Sequence, residues 1–198
     1  MPVNLQKGQK VELRKSTGGE LNRVIVGLGW DEMKTTKSFF LRKNRQEIDC
    51  DASVFLLQGD KLLTANDVVY FGNTTHESGC VRHMGDNLTG GSGQRNDDEQ
   101  IIVDLMSLPM QYNKIVFVVN IYQAKERKQH FGMLQNAYIR ICDENGQELC
   151  RYPLNENYQN MTAMIFGELY RYNGTWKFSA IGQPTTDNSV AEMTGRFR

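Results

Sequence analysis

The sequence is poor in the patterns that catalytic and membrane-spanning proteins rely on. Its 198 residues hold only three histidines, four cysteines and four prolines. The histidines, His76, His83 and His130, are scattered, and His76-Glu77 does not extend to His-Glu-x-x-His. No Gly-x-x-x-x-Gly-Lys-Ser/Thr loop is present, so a P-loop is excluded. Gly90-Gly91-Ser92-Gly93-Gln94 begins like a nucleophile elbow but ends in Gln and lacks the strand-to-helix setting. Cys50, Cys80, Cys142 and Cys150 form no Cys-x-x-Cys pair. A disulfide framework needs an oxidising compartment and a zinc site closer ligands, so the cysteines read as reduced and buried. There is no excess of either charge: Lys plus Arg is 23 and Asp plus Glu is 23, which argues against nucleic acid as a partner. No apolar run approaches the roughly 18 residues of a membrane span, and the longest, Ile115 to Val119, is a buried strand by length. Met1 to Lys7 carry no apolar signal region. The expectation is a cytoplasmic, non-enzymatic protein.

Helix signal is also scarce, confined to Gln123 to Gln129. Strands fill most of the rest. Arg23 to Leu28 is β-rich and ends at Gly29-Trp30-Asp31. Ile48 to Leu57 alternates and meets a turn at Gln58-Gly59-Asp60-Lys61. Val68 to Phe71, Ile101 to Leu105, Lys114 to Tyr122, Ala137 to Cys142 and Glu148 to Leu154 follow. Thr162 to Tyr172 and Thr175 to Ile181, joined by Asn173-Gly174, make the clearest hairpin. This spacing predicts an all-β, antiparallel β-sandwich with short helical segments. The division is one domain over 1–182 and a C-terminal tail over 183–198. Asn73 to Gln100 is the longest internal stretch without a pattern, and such stretches are functional or disordered.

Two groups of carboxylates carry the chemistry. In a strand over Ile48 to Phe55, Ile48, Cys50, Ala52 and Val54 share one face, and Asp49 and Asp51 share the other, about 6.6 Å apart. Two carboxylates that close repel unless one face is wet, one is protonated, or a cation bridges them. The second group spans Gly85 to Glu99, opening with Asp86-Asn87 and closing with Asp97-Asp98-Glu99 around a glycine-rich centre. Calcium takes six to eight oxygens in tolerant geometry, which this segment offers, while magnesium is stricter and zinc or copper would want His or Cys. It is no EF-hand: counting from Asp49, the sixth residue is Val54 rather than Gly. Solvated acidic surface is the plain alternative for each group.

These residues resemble the TerD-type tellurite-resistance family, which is similar to a group of calcium-binding stress proteins. The match runs through Gly27 to Asp31, Asp49 to Leu57, Gly85 to Gly90, Asp97 to Glu99, Lys114 to Val119, Phe166 to Arg171 and Trp176 to Phe178, in the family's order. The resemblance implies a sandwich with two calcium ions near one end of the sheets. It implies a role in resistance to tellurite and other chemical stress, beside related resistance proteins that include a membrane-embedded one. The ligand candidates carried over are Asp31, Asp49, Asp51, Asp86, Asn87, Asp97, Asp98 and Glu99, with Asn73 and the Leu88 carbonyl in addition. One departure stands out. Ser92-Gly93-Gln94-Arg95-Asn96 fills a place where the family has an acid and glycines, so two unequal calcium sites are expected.

Function then reads as a calcium-binding interaction module of a stress-resistance complex. The alternative is a calcium-dependent module at the inner face of the membrane. Two bound Ca²⁺ would raise the formal charge from zero to about +4 and favour anionic lipid. A metal-dependent hydrolase would need a base beside an open coordination position, and His83 is the one candidate nearby.

Overall fold

The computed structural model describes residues 2–15, 18–32, 48–86 and 97–198. Among them are twelve strands: β1 Val3–Asn4, β2 Lys10–Glu12, β3 Arg23–Glu32, β4 Cys50–Leu57, β5 Val68–Val69, β6 Val81–Asp86, β7 Glu99–Asp104, β8 Lys114–Ile121, β9 Leu134–Asp143, β10 Glu148–Pro153, β11 Ala163–Tyr172 and β12 Thr175–Thr185. Two short α-helices, α1 Ala124–Arg127 and α2 Val190–Thr194, and three 3-10 turns, Ala65–Asp67, Phe131–Met133 and Gly195–Phe197, complete the order. The strands form two six-stranded sheets, β1-β10-β9-β3-β7-β6 and β2-β12-β11-β8-β4-β5. Every pairing is antiparallel except β1 on β10. This is the β-sandwich the turn spacing predicts.

Local chemistry explains most of the turns. Asn173 and Gly174 both have positive φ, 49° and 80°. A two-residue hairpin between right-twisted strands demands that geometry, and Asn-Gly supplies it at little cost. The interior is filled from alternate positions: Val24, Val26 and Leu28 from β3, Ile101 and Val103 from β7, Ile139 and Ile141 from β9 on one sheet. Cys50, Ala52, Val54 and Leu56 of β4 and Phe117 and Val119 of β8 face them from the other. All four cysteines are free and buried, as composition leads one to expect.

The second sheet is buried on both faces. Phe55, Leu57, Val116, Val118, Ala163 and Ile165 form an outer cluster closed by Met193 of α2, with Phe197 packed against it. The Phe55 and Phe197 rings meet edge to face at 5.5 Å. This is why β4 stops alternating after Asp51: it is buried at every position from Ala52 on and ends in the apolar run Val54 to Leu57. The segment set apart in sequence as a tail behaves differently from that reading. Residues up to Thr185 continue β12, and those beyond form a strap over the outer face. The patternless stretch from Asn73 to Gln100 likewise contains β6, which pairs with β7 at the edge of its sheet.

One end of the sandwich gathers the candidate acids. The C-terminal end of β3, the N-terminal ends of β7 and β9, and the C-terminal end of β6 meet there, through the pairs Leu28–Glu99, Asp31–Gln135 and Asp86–Glu99. The N-terminal end of β4 lies opposite, held by the Cys50–Ile121 pair.

Candidate metal centre

The three consecutive acids at the start of β7 go three separate ways. Asp97 turns onto the outer face of the first sheet. Its carboxylate accepts from Arg140 Nε and Nη2, both at 2.7 Å, from Tyr138 Oη at 2.9 Å and from Gln100 Nε2 at 2.9 Å. Arg140, Gly27 and Gln100 lie side by side across β9, β3 and β7, and Gly29 faces Tyr138. A Cβ on Gly27 would collide with the Asp97 carboxylate, and one on Gly29 would meet the Tyr138 ring at 2.6 Å. The Gly27-Leu28-Gly29 motif therefore opens the space into which this pair folds, while Leu28 fills the core beneath. Burial opposes the Arg140 charge, yet the Asp97 carboxylate raises the guanidinium above its ordinary value. Arg151 extends the network, sharing Glu148 with Arg140 and stacking over Tyr138 at 4.1 Å.

Glu99 turns the other way, into the sandwich. Its Oε2 accepts from Ala52 N at 2.6 Å and lies 3.3 Å from His83 Nε2. β5 pairs with β4 only at Val54 and Phe55, so among the described residues the N–H of Ala52 has no strand to donate to on that side. Glu99 meets that need and ties the two sheets together. His83 is accordingly an interior residue beside a buried carboxylate.

Asp98 stays at the rim. Its Oδ2 accepts from Trp30 N at 2.7 Å, while its own N–H donates to the Leu28 carbonyl at 2.8 Å. Partial burial raises the Asp98 carboxyl above its ordinary value, and the charges of Asp31 and Asp97 add to this against the Trp30 hydrogen bond. Asp31 accepts from Asn136 Nδ2 at 2.8 Å. On the opposite sheet Asp49 is exposed, 3.9 Å from Arg127 of α1, and Asp51 is half-buried opposite Asn120. Burial pushes the Cys50 thiol well up, and the charges of Glu99, Asp51, Asp49 and Asp98 push it the same way. One buried thiol thus feels acids from both sheets.

The structure therefore brings Asp31, Asp49, Asp51, Asp98 and Glu99 to one pole. Asp97, grouped with the ligands in sequence, faces a guanidinium instead. Asn73 sits in a tight turn with Tyr70, and its amide donates to the Val68 carbonyl at 2.8 Å. The Asp86 side chain, Asn87 and Leu88 lie outside the described residues, as do Gln94, Arg95 and Asn96. Among the described residues no three His, Cys, Asp or Glu side chains come close enough to hold a metal ion. Sequence reading missed Arg140, Tyr138 and the Ala52 N–H. The one signal for Arg140 was a cation in the middle of a strand between Ile139 and Ile141.

The family model of the TerD domain matches residues 1–197. The chain belongs to the TerD family. Among TerD relatives, the stress response protein SCP2 of Bacillus subtilis (strain 168) is 44% identical over 202 residues, covering 100% of both chains. The tellurium resistance protein TerD of Serratia marcescens is 44% identical over 186 residues, 92% of this chain and 91% of that one. The crystal structure of a homologue of the telluride resistance protein TerD from Streptomyces coelicolor A3(2) shares the fold. It has a TM-score of 0.63 at 19% identity and covers 90% of this chain and 98% of that one. The TerD fold is thus common to chains that differ at four positions in five. No helix among the described residues is long and apolar enough to cross a membrane.

Proposed function

We propose that this TerD-family chain is a calcium-binding, non-enzymatic interaction module of a tellurium- and stress-resistance system. The observation that carries this is the crowding of carboxylates from both sheets at one pole, where the ends of β3, β6, β7 and β9 face the start of β4. Gathering like charges at a rim costs free energy that a bound cation recovers. The donor set is oxygen, which suits calcium over zinc or copper. Asp31, Asp49, Asp51 and Asp98 fit this role, and Asp86, Asn87 and the Leu88 carbonyl are the further ligands that the family resemblance implies. Asp97 does not fit, because Arg140, Tyr138 and Gln100 already occupy its oxygens. Glu99 is turned inward, with Oε2 engaged by Ala52 N. Bound calcium supplies positive charge and order at the pole. Asp97 and Glu99 hold the backbone on either side of Asp98 and so position that carboxylate.

The decisive measurement is isothermal titration of the metal-free protein with Ca²⁺, beside Asp51→Asn and Asp60→Asn. Asp60 lies at the far end of β4 and pairs with Lys114, so it serves as the control. Saturable binding that Asp51→Asn weakens and Asp60→Asn leaves alone is expected. Absence of binding in the wild type, or equal affinity in all three proteins, would overturn the reading.

A further inference from the structure

The motif Phe166 to Arg171 followed by Trp176, singled out in sequence, lies at the pole away from the acids and has no part in the proposed calcium site. There β2, β3, β7, β11 and β12 end around a cavity of about 230 Å³. Its lining includes Arg14, Asn22, Arg171 and Trp176. Arg171 and Trp176 are cross-strand partners beside the Asn173-Gly174 turn, and the guanidinium lies 4.5 Å from the indole ring. Nε donates to the Tyr112 carbonyl at 3.2 Å and Nη2 to the Leu108 carbonyl at 2.8 Å. A guanidinium has five N–H groups, so these two bonds leave three without a protein acceptor among the described residues.

The contrast with neighbouring arginines is informative. Arg14 pairs with Glu12 at 2.9 Å and Arg23 with Asp104 at 4.0 Å. Arg171 forms no ion pair among the described residues, and burial alone lowers its proton affinity below the ordinary value. A half-buried cation without a counter-charge is costly, and one held rigid by stacking and two carbonyls has little conformational freedom left to lose on binding. Arg14, on the same lining, is exposed and its charge is met by Glu12, so the uncompensated cation of the cavity is Arg171. Glu20 reaches the lining too but is exposed, so an anion fits only if it is small and sits toward Arg171.

We propose that this cavity is a binding site for a small oxyanion, held by the free N–H groups of Arg171 across two negatively charged oxygens. A phosphate and a carboxylate share that chemistry. The test is a titration of isotope-labelled protein with inorganic phosphate and, separately, with acetate at constant ionic strength. The signals to follow are the Arg171 side-chain N–H and the Trp176 indole N–H, with sodium chloride as control. A saturable shift of both signals is expected with at least one anion and not with chloride, and the stronger arm identifies the class. Arg171→Lys, which keeps charge but loses the fork, should weaken binding roughly tenfold. Because that change also loosens the Leu108 and Tyr112 contacts, Glu20→Gln, which removes the acid from the lining, provides a second variant. It leaves those contacts intact and should tighten anion binding several-fold. No saturable shift with either anion, or shifts that map elsewhere, would show that Arg171 is a loop staple alone and overturn the proposal.

Discussion

Adjacent carboxylates with opposite roles are the clearest lesson at the scale of single residues. Asp97 and Asp98 are neighbours in a run of acids, yet one closes a buried ion pair and the other waits at a rim. Asp97→Asn should destabilise by up to about 3–5 kcal/mol, because it removes the buried counter-charge of Arg140 and leaves only Glu148, at 3.3 Å, to offset it. Asp98→Asn retains an acceptor for Trp30 N and removes only charge. The folded protein holds the Asp98 proton more tightly than the unfolded chain does. Ionising it therefore costs stability as pH rises from about 3.9 through the raised folded value. At pH 7 metal-free Asp98→Asn should melt no lower than metal-free wild type, while its response to calcium falls. Denaturant unfolding of both variants, with calcium and with chelator, checks the pair. Similar losses of stability from the two changes would erase the distinction.

Among the elements, the strap formed by α2 and the residues around it is the one whose removal is easiest to predict. Met193 is fully buried against the outer face of the second sheet. Met193→Ala should cost about 2–5 kcal/mol and lower the melting temperature by roughly 4–20 °C. The strap is also tied by Asp187, which accepts from Arg196 Nη2 at 3.1 Å and from Thr185 Oγ1 at 2.7 Å. Burial opposes ionisation of Asp187, but Arg196 and Thr185 outweigh it and hold the carboxyl below its ordinary value. Its contribution is therefore present above about pH 4 and is lost as pH falls through the lowered folded value. This surface pair contributes about 1 kcal/mol or less, so Arg196→Ala should be far milder than Met193→Ala. Acid titration followed by the fluorescence of the aromatic residues would show wild type losing this increment below pH 4 and Arg196→Ala lacking it. An identical acid profile for the two proteins would remove Asp187 from the account.

For the whole molecule, a ligand that binds only the folded state links calcium to stability. At 100 times its dissociation constant it adds about 2.7 kcal/mol, which for a chain of this length is roughly 5–11 °C in melting temperature. Magnesium should add much less. Calorimetric scans with calcium, magnesium and chelator test this, and superimposable curves would sink the idea. Because the two poles are separate, calcium should leave the Arg171 and Trp176 signals unmoved. The four buried thiols should resist modification until unfolding, since none is exposed and the Cys50 proton is held tightly. Calcium should slow their reaction by the same factor by which it suppresses unfolding.

Sequence alone determined the β-sandwich, the Asn173-Gly174 hairpin, the reduced cysteines and the acid-rich character of one region. Each follows from local rules: alternation, turn conformation and the cost of burying charge. It also carried the motifs by which the family was recognised. It could not sort Asp97, Asp98 and Glu99, because their fates depend on partners far away in the chain. Arg140 arrives from β9, the Trp30 N–H from β3 and the Ala52 N–H from the opposite sheet. Nor could alternation reveal that the last residues cover the second sheet, since Met193 gains its place only after β4, β8 and β11 have assembled. The Arg171 cavity is legible only in three dimensions for the same reason. A cation reads as solvated surface until the loop carbonyls of Leu108 and Tyr112 and the face of Trp176 close around it. Local pattern sets which residues turn inward, and tertiary contact decides which of the polar ones find a counter-charge there.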